Sequence, residues 1–191
     1  MNKIIECVPN FSEGRDFGKI AKIVGEIEKV KGVKLLNVES DADYNRTVVT
    51  FAGKPEAVRD AAFYAIEMAA EVIDMSHHKG AHPRIGATDV CPFVPVSNVT
   101  MNECVQIART LGKEVGEWLG IPVYLYGEAA VIPERHILPD IRKGEYEGLP
   151  EKLKDEKWRP DYGPNEFNEN VRMTGATVIG AREFLIAYNV N

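Results

Sequence analysis

Val33-Lys34-Leu35-Leu36-Asn37-Val38 and Arg46-Thr47-Val48-Val49-Thr50-Phe51 are two apolar stretches separated by a polar run at residues 40–45. Short stretches rich in β-branched residues and joined by turn-forming residues are typical of a β-hairpin. Apolar residues recur at helical spacing over residues 16–31 before the hairpin, and Pro55 opens a second such pattern after it. A hairpin enclosed by two amphipathic helices is therefore the centre of the predicted fold.

Strands are also predicted on both sides of this central unit. Residues 3–8 precede the first helix, and residues 90–96 follow the second. Prolines at 92 and 95 interrupt the later strand, which we therefore expect at a sheet edge or at a bulge. The order βαββαβ predicts the fold class α+β: a ferredoxin-like sandwich with helices on one face of a mostly antiparallel sheet.

Three further elements extend this predicted sandwich. Thr100 and Glu103 are spaced as a capping box, which predicts a third helix. Alternating or continuous apolar residues predict strands at residues 123–126 and 175–190. The sandwich should therefore carry extra C-terminal strands. The last of these reaches the end of the sequence without a polar tail, which favours a following segment or docking against another chain.

The segment between these two strands has a different composition. Five of the eleven prolines fall in residues 133–172, together with many charges. This predicts an irregular segment with a short helix near residues 137–143. Long irregular segments in compact domains are functional or disordered. The aromatic residues in this one favour order and function.

The composition is that of an ordinary globular chain. Its 191 residues are 45% hydrophobic and 27% charged, with a net charge of -6. The acidic balance disfavours a nucleic-acid partner, and no apolar run has the length of a membrane span. The N-terminus reads as a strand and not as a signal peptide, so we expect a cytoplasmic protein. The three cysteines are widely spaced in apolar segments, which predicts buried, reduced thiols.

A cluster of three histidines, His77, His78 and His82, is the strongest candidate for chemistry. Metal ligation would need the histidines on one helical face, and the glycine and proline within the cluster disfavour a helix there, so we expect no metal. One histidine could instead act as a general acid and base. Arg84 and Arg46 would then hold an anionic substrate. A third alternative is that these histidines are merely solvated.

Glycines flank the histidine cluster, and two other stretches could bind ligands. Gly80 and Gly86 would let the backbone approach a ligand closely. Asn10 and Ser12 lie in a turn before the first helix, where a helix N-terminus favours anions, although a plain capped turn is the alternative. Residues 158–167 alternate aromatic residues with Gly, Pro and Asn, which suits a flat heteroaromatic ligand or a loop packed on the sheet.

Seven stretches along the whole chain resemble the formiminotransferase family. In chain order they are Glu6-Cys7-Val8-Pro9-Asn10-Phe11-Ser12-Glu13-Gly14, Asn45-Arg46-Thr47-Val48, Ile73-Asp74-Met75-Ser76 through His82-Pro83-Arg84-Ile85-Gly86-Ala87, Asp89-Val90-Cys91-Pro92-Phe93, Pro122-Val123-Tyr124-Leu125-Tyr126-Gly127-Glu128-Ala129, Asp161-Tyr162-Gly163-Pro164, and Gly180-Ala181-Arg182-Glu183-Phe184-Leu185-Ile186-Ala187. The match runs the full length of the chain in order.

The resemblance implies an activity. Enzymes of this family transfer a formimino group from N-formimino-L-glutamate to the co-substrate tetrahydrofolate, a step of histidine degradation. It implies that His82 is the catalytic histidine, and we expect His82 to act as general acid and base. From their chemistry we expect Arg46, Arg84, Asn10 and Ser12 to bind the glutamate carboxylates. The resemblance also implies a folate-binding run, whose second half departs from the family pattern, at Gly163, Pro164, Asn165, Glu166, Phe167, Asn168, Glu169, Asn170, Val171 and Arg172.

The resemblance also implies a domain organisation. The family's transferase unit has two similar halves with folate between them, and this chain matches the first. We therefore expect residues 1–180 to form the N-terminal subdomain and residues 181–191 to be a strand or linker leading to an absent C-terminal subdomain. A C-terminal subdomain, a second chain or a homodimer would complete the site. Two alternatives are a non-enzymatic folate-binding half-module that needs a partner chain, and a metal-dependent hydrolase.

Overall fold

A computed structural model describes residues 2–185. Its strands are β1 (Ile4–Cys7), β2 (Asn10–Phe11), β3 (Val33–Asp41), β4 (Arg46–Gly53), β5 (Thr88–Ser97), β6 (Val123–Gly127) and β7 (Thr177–Ala181). Its helices are α1 (Phe17–Lys29), α2 (Pro55–Val72), α3 (Met101–Trp118), α4 (Leu138–Arg142), α5 (Leu149–Lys152) and α6 (Glu169–Thr174). Two single 3₁₀ turns lie at Pro133–Arg135 and Glu156–Trp158. The predicted hairpin and the three long helices are confirmed.

Local sequence explains where the long helices begin. The Thr100 hydroxyl accepts a hydrogen bond from the Glu103 amide at 3.2 Å, and the Glu103 carboxylate accepts one from the Thr100 amide at 2.8 Å. The predicted capping box is thus present at the start of α3. Asp16 caps α1 by accepting from the amides of Gly18 and Lys19. Pro55 occupies the first turn of α2.

The strands form one mixed sheet in the order β3, β4, β1 with β2, β5, β7, β6. β1 and β2 occupy one position, because each pairs with β4 on one side and β5 on the other. These pairings and the β3–β4 hairpin are antiparallel, whereas β7 is parallel to both β5 and β6. The sheet is therefore mostly antiparallel, as predicted, with a parallel end that the sequence pattern did not predict.

β5 lies inside the sheet, so the expectation of an edge strand is wrong. The alternative of a bulge agrees with the register shift at Pro95, where Ile4 pairs with Ser97 and Ile5 with Pro95. The Pro92 carbonyl accepts a hydrogen bond from the Val8 amide at 3.3 Å, so the Pro92 nitrogen also faces the β1–β2 side of β5. On that side it lies opposite the interruption between β1 and β2, which contains Pro9. Pro95 falls beyond the residues that pair with β7. The two prolines therefore occupy places where little ladder hydrogen bonding is lost.

The two faces of the sheet are covered differently. The three long helices pack on one face, where Ile23, Ala62 and Leu111 join strand residues such as Phe51 and Phe93 in the main core. On the other face, α4, α5 and α6 cover only the β5–β7–β6 end, around Tyr124 and Val178. Helices thus lie on both faces, in contrast to the predicted single face. The residues 133–172 are ordered, as expected, and contribute this second layer.

The ends of the sheet and of the chain complete the fold. β3 pairs only with β4, and a register shift between Leu35 and Asn37 leaves Leu36 50% exposed. Along β6, the Asp161 and Tyr162 backbone hydrogen-bonds to Val123. β7 ends at Ala181, so the predicted strand over 175–190 is shorter, and its residues 186–190 lie outside the described part of the chain. Within residues 2–185, no helix combines the length and apolarity needed to cross a membrane.

Candidate active site

A cavity of about 690 Å³ lies on the face of the sheet opposite the long helices. Its floor includes Val8, Val90 and Pro92 from the central strands, and polar residues surround this floor. We call it the arginine cavity, and we define it by Asn10, Arg46, His82, Tyr126, Glu128, His136, Arg142 and Arg182. Arginines from three separate parts of the chain thus converge on one concave surface.

His82 is the one member of the histidine cluster that lines this cavity. Its ring lies 6.2 Å from the Tyr44 ring, centroid to centroid. Burial, and then the nearby charges of Arg46 and Arg142, lower the pKa of His82 to about 4. A contact with the Pro83 backbone opposes this shift, and within residues 2–185 no other side chain hydrogen-bonds to the ring nitrogens. At neutral pH the imidazole is therefore uncharged and free to accept a proton.

Arg46 begins β4 and lines the same cavity. Its guanidinium carbon lies 5.6 Å from the centroid of the Tyr44 ring. Its Nε is buried without a hydrogen-bond partner, and no acidic side chain in the described part of the chain forms an ion pair with it. A cation with unused donors beside His82 is suited to bind a carboxylate. Arg46 thus lies where the sequence predicts it.

Arg142 is a cavity residue that the sequence analysis missed. It ends α4, and its guanidinium pairs with Asp89, which lies on β5 and is 1% exposed. The second Asp89 oxygen accepts a hydrogen bond from the Ile85 amide at 3.0 Å. Burial raises the pKa of Asp89, and the charge of Arg142 opposes that shift. A lone aspartate in an otherwise apolar strand is the signal that could have drawn attention to this pair.

Arg84 is occupied by other parts of the protein. Its guanidinium donates to Glu145 at 2.9 Å and to Glu147 at 2.8 and 2.7 Å. It also donates to the ring and to the carbonyl oxygen of His78, at 3.2 and 3.4 Å. These five hydrogen bonds use all five donors of the guanidinium. Arg84 does not line the arginine cavity, and the geometry does not support the expected contact with a substrate carboxylate.

The turn before α1 separates its two predicted site residues. Asn10 lines the arginine cavity, and its amide nitrogen donates to the Val8 carbonyl at 3.3 Å. Ser12 is buried, and its hydroxyl donates to the Gly86 carbonyl at 2.7 Å. The backbone amides of Ser12 and Gly14 already donate to protein acceptors. Ser12 and the amides of this turn are therefore occupied within the protein, whereas Asn10 remains at the cavity.

The two other histidines of the cluster have separate partners. His77 Nδ1 lies 2.7 Å from Asp74, and the His77 side chain is 83% exposed. His78 Nε2 lies 3.1 Å from the Asn45 carbonyl. Burial, chiefly, lowers the pKa of His78 as well. In residues 2–185, no three His, Cys, Asp or Glu side chains are grouped in a way that could hold a metal ion.

The predicted folate run, residues 163–172, lies elsewhere on the described surface. Val171 is buried, Asn168 caps α6, and the Asn170 amide donates to the carbonyls of Leu119 and Gly120. These side chains hold the segment against the end of α3. Residues 163–172 do not line the arginine cavity. The structure thus brings together His82, Arg46 and Asn10, and it leaves Arg84, Ser12 and the folate run outside that group.

Comparisons with known proteins agree on one family. A family model described as "Formiminotransferase domain, N-terminal subdomain" matches residues 4–182. The chain is 54% identical over 190 residues to "Glutamate formimidoyltransferase" of Thermoplasma acidophilum, covering 98% of this chain and 61% of that protein. It is 47% identical over 191 residues to "Glutamate formimidoyltransferase" of Streptococcus pyogenes serotype M1, covering 100% of this chain and 63% of that protein.

Longer relatives match the same residues. The chain is 54% identical over 191 residues to "Formimidoyltransferase-cyclodeaminase" of Mus musculus, covering 100% of this chain and 35% of that protein. The chain therefore spans about a third of the length of these longer curated relatives and less than two thirds of the shorter ones. The similarity covers nearly every residue that lines the arginine cavity.

Proposed function

Because the chain belongs to the formiminotransferase family and matches its N-terminal subdomain over residues 4–182, we propose that it takes part in formimino transfer. The donor is N-formimino-L-glutamate, the acceptor is tetrahydrofolate, and the products are 5-formiminotetrahydrofolate and L-glutamate. The observation that carries this proposal is that neutral His82 and Arg46 line the same arginine cavity. Two relatives named glutamate formimidoyltransferase support the choice of substrates.

The arginine cavity is suited to the donor. N-Formimino-L-glutamate carries two carboxylates, and three arginines line the cavity. A volume of about 690 Å³ lies within the usual range for small-molecule sites. Arginine binds carboxylates through two parallel hydrogen bonds, which would orient the donor as well as hold it. Arg46 is therefore one contact for a donor carboxylate, and Asn10 contributes a neighbouring amide.

His82 is the group that moves the proton in this proposal. The N5 amine of tetrahydrofolate forms a bond to the formimino carbon and must lose its proton. The bond between that carbon and the glutamate nitrogen then breaks, and this nitrogen must gain a proton. A neutral imidazole accepts the first proton and donates it in the second step, so the two transfers balance. The lowered pKa of His82 supplies the neutral form that the first step requires.

The test is a transfer assay with N-formimino-L-glutamate and tetrahydrofolate. The chain is assayed alone and after it replaces the matching residues of the Thermoplasma acidophilum relative, which is longer. We expect His82→Ala to lower turnover by about 100-fold or more, because a positioned acid–base group contributes 10²–10⁴-fold. His77→Ala is the matched control, since the His77 side chain is 83% exposed and lies outside the cavity.

The possible results separate the alternatives. Near wild-type turnover of His82→Ala in the replaced relative would remove His82 from the mechanism. Absence of transfer in both contexts, with tetrahydrofolate still bound, would favour the non-enzymatic folate-binding module. Activity that is lost on chelation and restored by a divalent metal would favour the metal-dependent hydrolase.

The folate contact and the domain organisation that the family resemblance implies belong to the same proposal. We infer that tetrahydrofolate contacts residues 163–172 and that residues 1–180 form the N-terminal subdomain. Because residues 163–172 do not line the arginine cavity, folate would approach His82 from outside the cavity. A C-terminal subdomain, a second chain or a second copy would complete the site. The strand order β3, β4, β1 with β2, β5 supports a ferredoxin-like arrangement for the first half of the chain.

A further inference from the structure

The ion pair of Asp89 and Arg142 differs from an ordinary surface pair in its burial. The side chains of Asp89 and Arg142 are 2% and 15% exposed. Asp89 is itself fixed by the hydrogen bond from the Ile85 amide at 3.0 Å. Because both charges are removed from water, neither can turn away without leaving the other unpaired. Asp89 therefore fixes the position of the Arg142 guanidinium at the wall of the arginine cavity.

Arg142 retains donors after it pairs with Asp89. A guanidinium has five N–H donors. Among residues 2–185, its one side-chain hydrogen bond goes to Asp89, and its Nε is buried without a partner. A desolvated cation with unused donors at a cavity wall is costly unless an anion meets it there. This arrangement is the opposite of that of Arg84, whose five donors are all used within the protein.

The surroundings of Arg142 point to one kind of ligand. Arg46 and Arg142 line the arginine cavity together with His82, and the charge of each one acts on the imidazole. Glu128 and Glu183 line the cavity as well, but they are not among the groups that shift the pKa of His82. The charges that act on His82 are therefore the two arginines. A ligand with two carboxylates could contact one arginine with each carboxylate while it lies beside His82.

We propose that Arg142, positioned by Asp89, contacts one carboxylate of the formimino donor and sets the preference for a dicarboxylic donor. The inference rests on the proposed function for the identity of the donor. It extends that function by assigning a substrate contact to Arg142 and a positioning role to Asp89. Arg46 then meets the other carboxylate, and the formimino carbon lies next to His82.

The test is equilibrium binding of three donors to the full chain by calorimetry. These are N-formimino-L-glutamate, N-formimino-L-glutamine and 4-formiminoaminobutyrate, of which the last two each lack one carboxylate. We expect Arg142→Gln to weaken the binding of N-formimino-L-glutamate by about 10- to 100-fold, which is the loss expected when a hydrogen bond to a charged group is removed. For the analogue that lacks the contacted carboxylate, Arg142→Gln should weaken binding by only about 2-fold, because independent changes usually add to within that factor.

Two further variants distinguish the loss of a substrate contact from misfolding of Arg142→Gln. Arg142→Lys keeps a positive charge for Asp89 and should show the same selectivity with a smaller loss. Asp89→Asn should weaken the binding of the three donors in the same order as Arg142→Gln does. A purely structural role of Asp89 would weaken the binding of all three donors equally. Arg59→Gln is the matched control, since Arg59 pairs with Asp60 on α2 and does not line the cavity.

The outcomes are distinct from those of the transfer assay. Equal losses for all three donors would overturn the role of Arg142. So would failure of every donor to bind both the wild-type chain and the Thermoplasma acidophilum relative in which this chain replaces the matching residues. Carboxylate-selective binding without any formimino transfer would support that role and contradict the proposed function instead. Binding needs neither tetrahydrofolate nor turnover, so the two failures cannot be confused.

Discussion

His82 differs from His77 and His78 in the groups that surround its ring. His77 is exposed beside Asp74, and His78 lies between Asn45 and Arg84. Among the described residues, the His82 ring is instead near two arginines, and no side chain hydrogen-bonds to it. At the scale of single residues, an imidazole that is neutral and not bound to a side chain can accept a proton. Burial and then the two positive charges keep the ring neutral, and the same charges would suit the carboxylates of the proposed donor.

The titration of His82 should respond to one of these arginines. In the native chain its pKa is about 4, against an ordinary 6.5, and burial is the largest cause. Arg46→Gln removes a cation, so the pKa should rise toward 6.5, and a dianionic donor should raise it as well. NMR titration of the ring protons measures both effects. His78, which lies beside Arg84, is the internal control and should move much less.

The sign of the corresponding stability effect follows from linkage. Because the native pKa of His82 is depressed, the unfolded chain binds this proton first as the pH falls. The stability contributed by the neutral ring is complete above about pH 6.5 and is lost as the pH falls toward about 4. A His82 pKa near 6.5 in the wild-type chain, or no change in Arg46→Gln, would contradict this account.

Residue types alone could predict some of the site. The sequence pattern identified the histidine cluster, Arg46 and Asn10, because polar residues next to glycine and proline in loops are recognisable. The family resemblance singled out His82 within that cluster. The sequence pattern could not separate Arg84 from Arg142. The glutamates that occupy Arg84 lie 61 and 63 residues away along the chain, and Asp89 lies 53 residues from Arg142. Partners at such separations are known only once the fold brings them together.

At the scale of elements, two glycines near the histidine cluster connect segments of the protein. We expected Gly80 and Gly86 to admit a ligand. A Cβ on Gly86 would instead lie 2.0 Å from the Ala176 carbonyl oxygen, just before β7, and one on Gly80 would lie 2.3 Å from that of Tyr44. These glycines let backbone meet backbone, which holds the histidine loop against β7 and against the β3–β4 turn. For Gly86 this contact takes the place of the expected approach to a ligand, whereas Gly80 also lines a separate cavity beside Arg84.

A glycine comparison tests this element contact. Gly86→Ala forces a methyl group into backbone, so we expect it to lower the free energy of unfolding by about 3 kcal/mol, the upper range for overpacking. Gly25→Ala is the matched control on α1, where nothing lies within 4 Å of the added Cβ. That change should raise the free energy of unfolding by about 0.5–1 kcal/mol.

Urea denaturation followed by circular dichroism measures both changes. A Gly86→Ala variant as stable as the wild type would mean that the loop and β7 do not meet closely. A destabilised Gly25→Ala variant would show that the comparison reports helix packing and not backbone contact.

Elements with clear periodicity were predictable, and those defined by long-range pairing were not. The apolar spacing in α1, the proline that opens α2 and the capping box of α3 are local features, and each predicted its helix. The position of β5 inside the sheet depends on a break between β1 and β2, more than eighty residues away along the chain. α6 is six residues long and was missed, because so short a helix has too few turns to show a period.

At the scale of the whole molecule, one main core joins the three long helices to the sheet. The three cysteines, Cys7, Cys91 and Cys104, lie in this core with 0% exposure. Their burial confirms that part of the prediction, and the Sγ atoms of Cys7 and Cys91 lie 3.5 Å apart. Burial raises the pKa of Cys7 well above its ordinary value. Because the thiolate is the reactive form, such thiols react only when the core opens.

Thiol modification should therefore report global unfolding. An aromatic disulfide reagent that releases a coloured thiolate should modify none of the three thiols at an appreciable rate in the native chain. All three should react in unfolding concentrations of urea, and at intermediate concentrations the rate should follow the unfolded fraction. The control is the circular dichroism transition under the same conditions. Rapid modification of one thiol in the native chain would show that part of the core opens locally.

The two edges of the sheet bear on how the chain behaves when it is concentrated. A straight, unpaired edge strand is a template on which other chains can add strands and grow into fibrils. Here the register shift at Leu36 interrupts the outer strand β3, and Asp161 with Tyr162 hydrogen-bonds to Val123 at the start of β6 on the opposite edge. Among the described residues, each edge is therefore irregular at one point. An irregular edge is a poorer template for a strand from another chain, so these two features should slow amyloid-like growth.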